Sequence, residues 1–230
     1  MQITHLGHSC LLIEAADTRV LLDPGAFSDA WHGTEGLDGI LITHRHPDHL
    51  DPEHAAALVE ANPDAAVRAP TDTDEAVRLS GVQHVVPGAK FAVGRLQVQV
   101  VGGDHAVIHD DIPRVRNVGY VITHPEEPTL FHPGDALEST PPSIDVLALP
   151  IMAPWSAMKE QVEFVRGFDG LKTVIPIHDE LLADRGRELF TRQITNLTGY
   201  ELTWLRESGP YEITVSEPER DISTQEFVSG

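Results

Sequence analysis

Thr43-His44-Arg45-His46-Pro47-Asp48-His49 is the stretch that decides the reading of this chain, because four of its seven residues are able to bind a metal ion. The residues before it, Gly39-Ile40-Leu41-Ile42, form a short apolar run with β-branched side chains and read as a buried strand. The residues after it, Asp51-Pro52, have the form of a helix start, with Asp as the cap and Pro in the first turn. The motif therefore falls on a tight strand-to-helix loop. A loop is able to aim His44, His46, Asp48 and His49 inward together, whereas a regular strand would turn His49 away from His44 and His46. Imidazole and carboxylate donors without thiolate suit zinc or another divalent first-row ion.

Toward the N-terminus, residues 3–6, 10–15 and 19–23 read as three short strands, with Ala16-Asp17-Thr18 as the turn between the second and third. Asp23-Pro24-Gly25 ends the third. Residues 26–37 have little periodicity and read as a loop holding Trp31 and His32, where a packed surface aromatic explains Trp31 as well as a role beside a metal site does.

Toward the C-terminus, residues 52–61 read as a helix and 66–69 as a strand. A second helix is predicted over 71–80, capped by Thr71 and stopped by Gly81, and a strand over 82–86. Residues 91–93 and 96–101 form the arms of a hairpin around Gly94. Strands follow at 117–123, 129–131, 146–149 and 173–177. Met158, Val162 and Val165 share one helical face ending at Gly167, and Phe190, Ile194 and Leu197 share another ending at Gly199. Tyr200, Leu202 and Trp204 alternate as in a strand. Beyond Arg206 the chain is polar and acidic, and the alternation of Tyr211, Ile213 and Val215 does not place it.

His-x-His-x-Asp-His after a buried strand resembles the signature of the metallo-β-lactamase superfamily. The opening Ile3-Thr4-His5-Leu6-Gly7-His8-Ser9-Cys10 and the later Leu22-Asp23-Pro24 resemble one branch of it. That branch of single-domain metal-dependent hydrolases includes the ascorbate-phosphate lactonases and the phospholipase D acting on N-acyl phosphatidylethanolamine. The resemblance runs from residue 1 to about residue 180. It implies an α/β fold, the four-layer αβ/βα sandwich of two mixed sheets, with the metal site on strand-end loops at one edge. Three later residues match the family's ligand pattern: His105, Asp135 in Phe131-His132-Pro133-Gly134-Asp135, and His178. Each follows a predicted strand. The resemblance assigns His44, His46 and His105 to one metal, Asp48, His49 and His178 to a second, and Asp135 to both.

The same resemblance points to His8 as a contact of the site. Asp23 reads either as a partner that orients a ligand histidine through its other ring nitrogen or as a simple strand-end turn residue. His109 opens the irregular stretch after His105 and reads either as a loop residue free to touch substrate or as a solvated loop histidine. His5, His32, His54, His84, His124 and His132 read as surface or hydrogen-bonded residues, and alternation along the strand should turn His132 away from the site.

The 230 residues, 41% hydrophobic and 23% charged, suit a single domain spanning 1–230 with one sizeable core. No run approaches the ~18 apolar residues of a membrane span, and the N-terminus lacks the features of a secretory signal. Cys10 is the single cysteine, which rules out an internal disulfide, suits the cytoplasm and reads as a small buried residue. The formal net charge of −20 argues against nucleic acid and anionic membranes as partners and leaves a small molecule. Lys90, Arg114, Arg116, Lys159 and Arg166 are the cations that the reading can bring near the site, without placing them.

Two divalent ions on such a site, with zinc as first choice and manganese or iron compatible, would make bound water acidic enough to supply hydroxide near neutral pH. The expected reaction is hydrolysis of a small ester, lactone or phosphoester, with Asp48 orienting the nucleophile and taking its proton. The alternatives are a mononuclear iron dioxygenase and a non-catalytic metal-binding protein on the same fold. A di-iron relative would carry Glu in place of His46. The oligomeric state is not legible.

Overall fold

The structure, a computed structural model, describes residues 1–206 and 208–214. Two mixed β-sheets face each other. The first has seven strands: β1 (Gln2–His5), β2 (Leu11–Ala15), β3 (Thr18–Leu22), β4 (Gly39–Leu41), β5 (Ala66–Ala69), β6 (Gln83–His84) and, at the opposite edge beside β1, β13 (Tyr211–Glu212). Neighbours from β13 to β3 run antiparallel and those from β3 to β6 parallel. The second sheet has six: β7 (Lys90–Val93), β8 (Leu96–Asp104), β9 (Arg116–His124), β10 (Glu127–His132), β11 (Val146–Pro150) and β12 (Thr173–Ile177), in the spatial order 12-11-10-9-8-7. Its hairpin strands β7 to β10 are antiparallel and β10 to β12 are parallel.

Three apolar clusters separate four layers. The central one takes Ile3, Leu11 and Val20 from the first sheet and Val98, Tyr120 and Ile175 from the second. An outer cluster packs α1 (Ala55–Ala61) and Trp31 on the first sheet through Ile40, Ile42 and Leu58. The other packs α2 (Met158–Arg166) and α3 (Asp184–Thr198) on the second through Phe131, Leu149, Val165 and Ile194. Strands buried on both faces, such as β11 and β12, are apolar but for Thr173 at the start of β12 for this reason. The architecture is the αβ/βα sandwich that the sequence resemblance implied. No helix among the described residues is long and apolar enough to cross a membrane.

Several local expectations are corrected. Residues 71–80 form only a 3₁₀ turn, Thr73–Glu75, before an irregular stretch. Val77 and Leu79 are both buried in the outer cluster, a two-residue spacing that one helical face cannot satisfy. Asp72 and Glu75 are engaged by Arg45, and the amide of Arg116 donates to Asp72. Of residues 82–86 only Gln83 and His84 pair, as an exposed edge strand. The first helix begins at Ala55, not at residue 52. Asp51 still caps the turn ahead of it, its Oδ1 accepting from the amides of Glu53 at 2.7 Å and His54 at 3.2 Å. Residues 200–204 make one bridge, Val174 with Leu202, instead of a strand. Trp31 is no surface aromatic: it is buried, and its indole N–H donates to the Gly25 carbonyl at 2.9 Å. The segment that alternation left unplaced supplies β13, and Val215 lies outside the described residues. Cys10 is buried, and burial pushes its thiol pKa up, which keeps it an inert core residue.

Candidate metal centre

The site is assembled at one edge of the sandwich from the ends of both sheets. Residues 43–49 leave β4, His8 lies in the turn after β1, and His105, Asp135 and His178 follow β8, β10 and β12. The motif loop is seated on Pro24-Gly25. The amide of Ala26 donates to the Pro47 carbonyl at 2.7 Å and that of Asp51 to the Pro24 carbonyl at 2.9 Å. A Cβ on Gly25 would stand 1.8 Å from the Asp48 carbonyl oxygen, so only glycine permits this approach. Three site residues, His8, Asp23 and His178, hold positive φ angles of 52°, 47° and 58°. Such left-handed backbone is costly outside glycine and is retained where the surroundings over-determine it.

Donor atoms converge in three overlapping sets: His44 with His46 and His105; His8 with Asp48, His49 and His178; and His44 with His49 and Asp135. Within each set the donor atoms lie within 4.8 Å of one another. Asp135 lies between the first two sets. Its Oδ1 is 3.1 Å from His49 Nε2, and its Oδ2 is 3.1 Å from His178 Nε2 and 3.4 Å from His105 Nε2. The seven residues of the sequence-derived ligand set are therefore brought together, and His8 joins them.

The ring nitrogens facing away from the centre are tied down. His105 Nδ1 donates to the Ala106 carbonyl and His178 Nδ1 to the Met152 carbonyl, each at 2.6 Å. His49 Nδ1 is 2.7 Å from Asp23 Oδ2. Asp23 in turn accepts from the Thr43 amide and hydroxyl, both at 2.7 Å. These bonds fix the protons on Nδ1 and leave Nε2 aimed inward, the arrangement that orients imidazole ligands.

Electrostatics follow from burial among carboxylates. Burial opposes the charged form of Asp135, yet His49 and His178 hold it well below the usual carboxylate range. Asp48 is likewise ionised: burial works against its charge, but the imidazoles of His178 and His8, 3.4 and 3.2 Å from its Oδ2, prevail. Burial disfavours the charged His178 too, but Asp135 outweighs it and raises the imidazole to about 9. His49 is raised against its burial by Asp135 and Asp23. His44 and His46 are pushed down by burial, and His8 is pushed down to about 4 by the same cause.

The residues fit a bound metal. Nε2 of His44, His105 and His178 and Oδ1 of Asp135 are buried with no hydrogen-bond partner. A buried polar atom left unpaired costs about 1–3 kcal/mol, and a cation displacing the His178 proton would satisfy all four at once. Nitrogen and carboxylate oxygen without sulfur match zinc, iron or manganese.

Comparison with known proteins agrees with the geometry. The family model described as the β-lactamase superfamily domain matches residues 2–178. The chain belongs to the metallo-β-lactamase superfamily. It is similar to Protein Rv0786c of Mycobacterium tuberculosis, 42% identical over 200 residues that make up 86% of this chain and 93% of that one. It is also similar to a UPF0173 metal-dependent hydrolase of Rhizobium meliloti, 33% identical over 150 residues, 59% of this chain and 63% of that protein. Among solved structures, a candidate metal-dependent hydrolase from Parabacteroides distasonis shares the fold with a TM-score of 0.69 at 22% identity, over 88% of this chain and 91% of that one. The fold is shared as well by CmlA, a diiron β-hydroxylase from Streptomyces venezuelae, with a TM-score of 0.64 at 16% identity, over 93% of this chain and 54% of that one.

Around this superfamily centre stand residues that the sequence did not single out. Asn117 is buried, accepts from the Asp135 amide and donates to the Pro133 carbonyl, each at 2.9 Å, and so fixes the Asp135 turn. Trp155 donates its indole N–H to Asp135 Oδ2 at 2.8 Å. A lone buried Asn in a strand and a Trp after β11 carry no spacing that would have betrayed them. His132 departs from expectation: it is not turned away but buried 3.9 Å from Asp23, with Nε2 3.1 Å from the Ser9 carbonyl. His109 stands in solvent, with contacts to its own loop at the Asp111 amide and carboxylate, and the structure does not bring it into the cluster. His32 and His54 are exposed, as read, and flank Asp51 together. Of the cations weighed, Arg114 reaches the His105 carbonyl at 2.7 Å, whereas Lys90 and Arg166 lie on β7 and α2.

Proposed function

We propose that this metal-dependent hydrolase holds two divalent ions and cleaves small esters, lactones or phosphoesters. The observation that carries the reading is the pair of donor sets meeting at Asp135. In it, His44, His46 and His105 hold one ion, Asp48, His49 and His178 hold the other, and Asp135 serves both. When bound, the ions supply Lewis acidity and a hydroxide nucleophile near neutral pH. Zinc suits the donor set best, with manganese or iron compatible.

The chain's own residues do the rest. Asp48 is only partly buried and ionised, so it is placed to accept the proton of the attacking group. His8 stays neutral near pH 7, and its Nε2, 3.2 Å from Asp48 Oδ2, donates to that carboxylate and fixes its direction. Trp155 steers Asp135 from the other side. The net charge of −20 supports a small-molecule substrate over nucleic acid or an anionic membrane. A cytoplasmic setting belongs to the same proposal, supported by the single buried thiol.

The test is a panel of lactones, phosphodiesters and thioesters assayed with zinc- and manganese-loaded protein. Turnover of one class, abolished by chelation and restored by metal, is the expected result. No turnover with any class, together with an iron spectrum and oxygen consumption, would move the reading to an iron oxygenase.

A further inference from the structure

We infer that His32, Asp51 and His54 form a further divalent-cation site, separate from the catalytic cluster. The carboxylate at its centre is built rather than incidental. Asp51 is 4% exposed, and its Oδ1 is already engaged by the amides of Glu53 and His54. That leaves Oδ2 facing two imidazoles. His54 Nδ1 is 2.8 Å from it and His32 Nε2 is 3.7 Å from it, and all three donor atoms lie within 4.8 Å of one another. Ligands on a tetrahedral ion at ~2.0–2.1 Å stand about 3.3 Å apart, so both separations suit one shared ion after small adjustment. Hydrogen bonding accounts for His54 alone. At 3.7 Å the His32 nitrogen is beyond a hydrogen bond to the carboxylate, yet its ring is held there, 4.3 Å from the His54 ring.

The position of His32 is fixed from below. Its ring meets the edge of buried Trp31 at 4.4 Å, and its amide donates to the Asp29 carbonyl at 3.0 Å. Two imidazole nitrogens and one carboxylate oxygen make a zinc-class site with water as the remaining ligand. Such an ion would clip the 26–37 loop to the start of α1. That loop carries Phe27, whose ring lies 4.9 Å from His8, so the clip would brace one wall of the catalytic site.

The test compares the full-length protein with a His32→Ala/His54→Ala double variant. Both side chains are at least one third exposed, so the fold should persist, with circular dichroism as the control. After dialysis against buffered micromolar free zinc, elemental analysis should find one zinc fewer per chain in the variant, whatever number the catalytic cluster itself holds. Imidazole nitrogen NMR of the wild type should show His32 Nε2 and His54 Nδ1 shifting together as that last equivalent binds. Equal zinc content in the two proteins, or a His54 Nδ1 that keeps its proton at saturation, would overturn the site. Because the readout is a difference in one equivalent, its failure leaves the catalytic reading untouched, and failure of the catalytic reading leaves the difference measurable.

Discussion

Asp23 Oδ2 lies 2.7 Å from His49 Nδ1, with both side chains fully buried. The carboxylate is pinned by the Thr43 amide and hydroxyl, so its direction, and with it the direction of the His49 ring, is set by the end of β4. An Asp23→Asn substitution keeps the shape and removes the charge that makes His49 a strong donor. We expect metal affinity to fall by roughly 10- to 100-fold, the usual effect of losing such an outer partner. Competition against a chromophoric chelator measures it, and unchanged affinity for every bound ion would refute the role.

On the two-ion reading proposed above, Asp48→Asn should leave the fold intact and reduce hydrolysis about 100-fold or more, by removing the proposed proton acceptor and one proposed ligand of the second ion. His8→Gln should cost less, because it leaves the carboxylate in place and removes only the donor that aims it. Steady-state kinetics on any substrate from the panel decides it. An Asp48→Asn enzyme at full rate would rule out that residue.

Metal uptake should be pH-dependent with a definite sign. In the apoprotein Asp135 holds His178 protonated up to about 9 and, with Asp23, raises His49 as well. A metal must displace those protons, so affinity rises with pH from neutrality through about 9, where His178 begins to deprotonate unaided. The apoprotein's stability runs the other way. A raised folded pKa contributes stability that is full below the unfolded value of 6.5 and is lost as pH rises through about 9. Calorimetry in buffers of different ionisation enthalpy counts the released protons, and an affinity flat across that window would contradict the assignment.

Much of the candidate centre was legible because its converging donor residues sit where strands stop. Each of His105, Asp135 and His178 follows a strand, and the one-residue spacings of His44, His46 and Asp48 allow a single loop to present them. What was not legible depends on contacts between distant segments. Asn117 and Trp155 act on Asp135 through single hydrogen bonds across the fold, which leave no periodic trace. His132 was misread because alternation along β10 tells which face a residue takes, not that the space behind Asp23 lies on that face. Residues 71–80 show the converse failure: a good cap and a good stop bracket a segment whose Val77 and Leu79 bury at a non-helical spacing.

Gly25→Ala tests how tightly the motif loop is seated. The new methyl would meet the Asp48 carbonyl oxygen at 1.8 Å and the His49 amide nitrogen at 2.7 Å, and backbone cannot step aside as a side-chain tip can. We expect a loss of about 2 kcal/mol or more in stability, from strain at a buried backbone contact, and weaker metal binding in the same protein. Urea unfolding of the apoprotein measures the first. A change within about 0.5 kcal/mol would show that the loop yields, and that the Pro24-Gly25 seat does not position Asp48.

The last prediction separates two histidines four residues apart. His105 is buried, with Nδ1 bound to the Ala106 carbonyl and Nε2 unpartnered beside Asp135. His109 is exposed and bonds only within its own loop. His105→Ala removes one of three imidazoles from the first donor set, so it should lower metal content and abolish activity. His109→Ala removes no donor from any convergent set among the described residues, so metal content should stay and any effect should be confined to rate or substrate range. The comparison is sharper than either variant alone, because a general loss of folding would appear in melting curves of both. Elemental analysis of the two proteins, prepared side by side, decides it. Loss of metal from the His109 variant with retention in the His105 variant would reverse the assignment and place the loop, not the strand end, at the first ion.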